Sequence, residues 1–218
     1  VKEIHHNLLE AIKKQHRDRK SEIKNRLAEF SDIWQKGSNE LLWEEMVFCF
    51  FTGGCSAKMG LRSIEKVRHI LLSGNQEELC NALLGTHRYP NARAGYIVKS
   101  REFLQADCDM DLRKKLSGFE HTERRDWLVK ERRIKGLGYK EASHYLRNIG
   151  FKGYGILDKH ILRTMAEIEL IEDPKPPSTR AKYLATEEKL KDFAKQIEID
   201  FDELDLVLWS LKTGEILK

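Results

Sequence analysis

Between Lys130 and Arg163 the chain reads KERRIKGLGYKEASHYLRNIGFKGYGILDKHILR, and its glycines leave few ways to fold. Gly136 and Gly138 flank one leucine, a spacing that lets the backbone take positive φ and turn tightly between residues 134 and 138. The basic run before them predicts the end of one helix. Ala142, Leu146 and Ile149 recur on one face of the next helix, which Gly150 is placed to close. The stretch therefore predicts helix, hairpin, helix.

Glycines without side chains allow a phosphate to approach the backbone N–H groups at the start of the second helix. Such contacts, at Gly136 and Gly138 with Lys135 beside them, are indifferent to base sequence. Lys130, Arg132, Arg133 and Lys135 would add positive charge beside them, as in proteins that follow a nucleic-acid backbone. A plain helical hairpin with a solvated basic face fits the same residues, because short glycine motifs are weak signals alone.

Lys140 falls in the first turn of the second helix, where the positive end of the helix dipole disfavours an ammonium ion. A neutral amine is a nucleophile that forms Schiff bases with carbonyl-like carbons. Asp158 follows the apolar pair Ile156-Leu157 and precedes a helical stretch. It reads as an N-cap, as a carboxylate facing Lys140 across a cleft, or as both.

The remaining chain is helical in pattern. Ile4, Leu8 and Ile12, then Ile23, Leu27, Phe30 and Trp34, predict amphipathic helices with apolar stripes in the core. Ser38-Asn39 caps a helix apolar on nearly all sides, ended by Gly53-Gly54. Ser56 begins another running to Leu72. Asn75 and Glu78 form a capping-box pattern for a short helix ending at Gly85. His87-Arg88-Tyr89-Pro90-Asn91 makes a turn into a further helix, and helical pattern continues from Cys108 to Val129. After the hairpin, residues 151–155 read as a flexible connection, and Pro174, Pro176 and Pro177 mark a loop. Two more helices carry Tyr183, Leu184, Leu190 and Phe193, then Leu204, Leu208 and Leu211. No sustained period-two alternation occurs, so the fold class is all-α.

Charge is nearly balanced, with 39 basic and 35 acidic residues and a net charge of +4, so charge clustering rather than total charge points to a partner. Cys49, Cys55, Cys80 and Cys108 form no CxxC pair, which predicts reduced thiols and a cytoplasmic protein. No apolar run is long enough to span a bilayer. His121 lacks metal-ligand spacing, and no metal site is expected.

The hairpin GLGYKEASHYLRNIG followed by ILDKHILR resembles the helix-hairpin-helix superfamily of base-excision DNA glycosylases. More narrowly, it resembles the compact 8-oxoguanine DNA glycosylase/AP lyases. The resemblance extends through FCFFTGGCSAKMGLR, GTHRYPNARAGYIV and ELDLVLWSLKTGEILK, and so covers most of the chain. It implies two helical domains with a cleft between them. Residues 37–150 would form a barrel ending in the hairpin, and residues 1–36 with 151–218 would form the second domain. Lys140 would be the nucleophile and Asp158 its acidic partner. Tyr89 and Trp209 would sandwich a flipped base, which Asp205 and the Lys218 carboxylate would read by accepting hydrogen bonds. The implied partner is double-stranded DNA containing 8-oxoguanine, bound by a monomer.

No cofactor is implied. Relatives that carry an iron–sulfur cluster hold it with four cysteines after the catalytic aspartate, whereas this chain has none after Cys108. A structural monovalent cation at the hairpin would be in keeping with relatives. Gly54 and Cys55 depart from the compact family, which usually has an asparagine and an aromatic there. That asparagine is associated with probing DNA near the extruded base, so the role does not carry over. A glycosylase for another base, or a non-catalytic helix-hairpin-helix DNA-binding protein, would share parts of this pattern.

Overall fold

The structure is a computed structural model that describes residues 2–218, and the side chains of residues 6–218. Among these residues the protein is all-α, with eleven α-helices, one 3₁₀ turn and no strand. Its contacts divide it into two compact units, Val1–Ser31 with Gly150–Lys218, and Asp32–Ile149.

The first helix, α1 (Lys2–Lys36), is continuous where two apolar stripes suggested separate helices. Residues 13–22 contain neither Gly nor Pro, and Lys14–Asp18 and Arg19–Glu22 pair along the helix at 2.5 and 2.7 Å, so nothing breaks it. Ile12, Ile23 and Phe30 of its stripe are buried. Ile4 has its side chain outside the described residues.

In the unit of residues 32–149, α2 (Asn39–Thr52) is the buried centre. Ser38 caps it through its Oγ, which accepts from Leu41 N–H at 3.3 Å. Trp43, Phe48, Phe50 and Phe51 are fully buried, each contributing about 1.5–3 kcal/mol by leaving water. Helix α3 (Ala57–Val67) packs on it through Gly60, where a Cβ would come within 2.9 Å of the Phe48 ring. It ends five residues before Leu72, in a 3₁₀ turn over Arg68–Ile70. Arg101 draws that turn in by donating to the carbonyls of Leu71 and Gly74 at 3.0 and 2.8 Å.

The capping box of Asn75 and Glu78 opens α4 (Gln76–Leu83), and Pro90 occupies the first turn of α5 (Pro90–Cys108). Left-handed Asp109 and Met110 end α5, and the stretch that follows is divided between Gly118 and Glu120 into α6 (Leu112–Ser117) and α7 (His121–Lys130). The unit closes with α8 (Tyr139–Asn148), whose residues 142–148 are all buried.

The other unit comprises α1 up to Ser31, α9 (Lys159–Glu167), α10 (Arg180–Gln196) and α11 (Phe201–Thr213). Gly150, at φ +95°, enters it against α1, where a Cβ would meet Phe30 O at 2.7 Å. The connection 151–155 is not loose. Tyr154 is buried, Gly153 N–H donates to Asp202 at 2.9 Å, and Gly155 N–H donates to buried Glu187 at 2.7 Å. Tyr183 Oη completes the clamp, donating to Gly155 O at 2.7 Å and accepting from Leu157 N–H at 3.3 Å. Here helical side chains bind the backbone hydrogen-bonding groups that coil leaves unpaired.

Candidate functional site

The hairpin joins α7 to α8 with Gly138 as N-cap. Its two glycines have different uses. Gly136 is left-handed at φ +79°, and a Cβ there would lie 2.7 Å from the Tyr96 ring. Gly138 has φ −87°, which any residue adopts, so the expectation of positive φ at both is corrected. What glycine supplies at 138 is an N-cap without a side chain, leaving the first N–H groups of α8 open.

Lys135 N–H donates to buried Ser100 Oγ at 2.9 Å, tying the hairpin to α5. That amide is therefore unavailable to a phosphate, and Lys135 contributes its side chain alone. The basic cluster is likewise smaller than its sequence suggests. Lys130 pairs with Asp126 at 2.9 Å, and Arg133 forks onto Glu131 at 2.7 and 2.8 Å while lying over Phe103. The fork holds the Glu131 carboxyl at about 2. Among the described residues, Arg132 and Lys135 are the members of the cluster without an ion pair.

Lys140 occupies the first turn of α8 with its side chain 26% exposed, and its Nζ lies 3.5 Å from Glu141 Oε1. Gly138 leaves room for that carboxylate, because a Cβ there would sit 3.2 Å from Glu141 Oε2, whereas one at Gly53 would be in ordinary contact with Oε1 at 3.8 Å. Gly53 O accepts from Arg93 Nη2 at 2.6 Å. Arg93 in turn lies over the rings of Tyr89 and Tyr96 at 5.5 and 5.1 Å. Lys140 with Glu141, and Gly53 with Arg93 and Tyr89, are thus two linked groups within one unit. Cys49, buried nearby, is no competing nucleophile: burial, and then the Glu45 charge, push its thiol well up.

Tyr89 is 41% exposed, and its backbone is anchored from below. His87 Nδ1 accepts from Tyr89 N–H at 3.0 Å, which requires the proton on Nε2, and Nε2 donates to Phe51 O at 3.0 Å. Burial lowers the His87 pKa, in keeping with this neutral form. Arg88 lies over the same tyrosine ring at 5.2 Å, so the exposed face is aromatic and cationic together.

Asp158, Asp205, Trp209 and Lys218 belong to the other unit. Asp158 is the N-cap of α9, with Oδ1 accepting from His160 N–H and Ile161 N–H at 2.8 and 2.9 Å. Its Oδ2 makes no hydrogen bond among the described residues, so capping leaves half the carboxylate unused. Asp205 is buried and Trp209 half-buried, one helical turn apart on α11. The segment after α11 is tethered to α1, where Arg19 donates to Gly214 O at 2.8 Å and Arg26 to Ile216 O at 3.4 Å. Lys218 is half-buried.

Glu141 and Arg93 are the members of the cluster to which the sequence reading assigned no role. A carboxylate next to a candidate nucleophile in the first helical turn was a usable signal for Glu141. For Arg93 the local signal is the pair of tyrosines four residues before and three after it, whereas its hydrogen-bond partner Gly53 lies 40 residues away in sequence. Among the described residues no group of three or more His, Cys, Asp or Glu could hold a metal ion, and no helix is long and apolar enough to cross a membrane.

An all-helical chain with a glycine hairpin opening onto a lysine-bearing helix is a helix-hairpin-helix protein of the DNA-glycosylase type. The profile described as 8-oxoguanine DNA glycosylase matches residues 23–199. The 8-oxoguanine DNA glycosylase/AP lyase of Korarchaeum cryptofilum is 41% identical over 199 residues, covering 90% of each chain. That of Methanocaldococcus jannaschii is 38% identical over 214 residues, covering 95% of this chain and 99% of its own.

Solved structures agree. The Thermotoga maritima 8-oxoguanine DNA glycosylase superposes with a TM-score of 0.88 at 33% identity, covering 98% of this chain and 100% of its own. The M. jannaschii 8-oxoguanine glycosylase/lyase, crystallised with 15mer DNA containing 8-oxoguanine, also gives 0.88 at 34% identity, covering 97% and 99%. The chain belongs to the 8-oxoguanine DNA glycosylase family.

Proposed function

We infer that the protein is a DNA glycosylase/AP lyase of base-excision repair, which removes 8-oxoguanine from double-stranded DNA and nicks the strand at the abasic site. The observation that carries the assignment of its nucleophile is Lys140: a partly exposed amine at the start of α8, beside an uncapped glycine hairpin, its one ion pair an adjacent carboxylate. A base stacked in a duplex hides its glycosidic carbon, so the nucleotide is flipped out. Lys140, as the free amine, attacks C1′ and expels the base. Asp158 stabilises positive charge developing on the sugar through the oxygen its cap leaves open. The resulting Schiff base then permits β-elimination.

Tyr89 and Trp209 offer the aromatic faces for the flipped base, Asp205 a hydrogen-bond acceptor, and Lys218 a further polar contact. The open N–H groups at Gly136 and Gly138, with the Lys135 side chain, bind a backbone phosphate. The carbonyl oxygens of residues 135–137 accept no hydrogen bond among the described residues, so oxygen donors are available there for a monovalent cation. The chemistry needs no organic cofactor, because lysine supplies the nucleophile and the base is its own leaving group. All the named residues come from one chain, so a monomer suffices. Its place of work is wherever the chromosome lies, the cytoplasm in a cell without a nucleus.

The test is Lys140→Gln on a duplex carrying one 8-oxoguanine. Excision and borohydride trapping should both disappear while binding to lesion DNA persists. Trapping retained by the variant would put the nucleophile elsewhere.

A further inference from the structure

We propose that Glu141 is the base that removes the C2′ proton in the nicking half of the reaction, an inference that rests on Lys140 forming the Schiff base. Glu141 Oε1 lies 3.5 Å from Lys140 Nζ. Once Nζ is bonded to C1′, C2′ is two bonds away, about 2.5 Å from Nζ by ordinary bond lengths, so rotation about the new bond can bring it within about 3–4 Å of the same oxygen.

The other acidic groups around α8 are already engaged. Glu45 is buried and accepts from Asn148 Nδ2 at 3.3 Å. Asp126 takes Lys130 Nζ at 2.9 Å and Tyr139 Oη at 3.2 Å. Among the described residues Glu141 has Lys140 as its one polar partner. Space beside it is kept by Gly138 of the hairpin, where a Cβ would sit 3.2 Å from Glu141 Oε2.

The step balances. The carboxylate takes a C2′ proton, and the electrons of that C–H bond form C1′=C2′ as the iminium nitrogen becomes a neutral enamine. The enamine then pushes back to the iminium, forming C2′=C3′, and the C3′–O bond breaks with the strand's phosphate as leaving group. The iminium also draws the carboxylate toward the carbon it must deprotonate, since charge is attracted at this range in a partly desolvated site.

The experiment uses a duplex with a preformed abasic site, where no excised base can act as an alternative proton acceptor. Wild type, Glu141→Gln and Glu141→Asp are compared for the rates of borohydride-trappable imine formation and of strand nicking, with thermal melting beside them. The glutamine variant, nearly isosteric, should form the imine at close to the wild-type rate and nick about 10²-fold more slowly, so that trapped adduct accumulates. The aspartate variant should recover part of the nicking. Nicking and trapping that fall in parallel would show that Glu141 only places the lysine, and unchanged nicking would remove it from the reaction. Trapping by Lys140→Gln would instead sink the underlying assignment, a result distinct from both.

Discussion

Replacing Gly136 with alanine should damage the protein far more than replacing Gly138, although both belong to one motif. At 136 the backbone is at φ +79°, where an L side chain costs about 1–2 kcal/mol. The new Cβ would also sit 2.7 Å from Tyr96 Cδ2. That ring cannot swing aside cheaply, because it meets Phe50 edge-on at 6.5 Å and carries the Arg93 guanidinium at 5.1 Å. Overpacking of this kind adds about 1–3 kcal/mol. The sum is roughly 2–5 kcal/mol, or about 4–20 °C of melting temperature for a protein of this size. At 138 the backbone is unstrained, and the neighbour is Glu141 Oε2 at 3.2 Å, the end of a side chain that can move. Alanine is a poorer N-cap than glycine, so the loss there should stay under about 1 kcal/mol. Gly136→Asn separates the two terms, since asparagine tolerates the left-handed region but keeps the Cβ. Melting curves for the three variants decide the matter. If Gly136→Ala melts no lower than Gly138→Ala, the hairpin does not depend on the left-handed turn or on its contact with Tyr96.

Asp158 should divide into two separable effects: Asp158→Asn keeps an N-cap and the melting temperature but slows excision severely, whereas Asp158→Ala loses both activity and about 1 kcal/mol of stability. Full excision by the asparagine variant would leave Asp158 a cap alone. His87 is held neutral with its pKa lowered by burial, so its contribution to stability is complete above the ordinary histidine value of about 6.5 and declines as pH falls through the lower folded value. Unfolding measured from pH 7.5 to 5 should therefore lose stability more steeply in wild type than in His87→Gln, and equal slopes would contradict the hydrogen bonds assigned to the ring.

What was legible in the sequence was whatever depends on near neighbours. The capping residues Ser38, Asn75 and Asp158, and Gly150 at the end of α8, each act within a few positions of themselves, so pattern alone located them. The all-α class followed from helical periodicity in the same way. Where the reading went wrong, the deciding partner was distant. Residues 151–155 looked flexible because glycines normally mean freedom. Glu187 and Asp202, more than 30 residues away, hold their N–H groups. Nothing near Lys135 in sequence announces that its amide donates to Ser100, 35 residues earlier.

The same distinction bears on Gly53, which looked like a mere helix stop. The structure gives it a further use: its carbonyl fixes Arg93 against the Tyr89 ring. That use follows from an accessible backbone carbonyl, which helical periodicity does not reveal. A backbone carbonyl organising an arginine is insensitive to side-chain identity at its own position. That is a physical reason why the backbone of residue 53, rather than its side chain, holds Arg93 and through it the exposed ring of Tyr89.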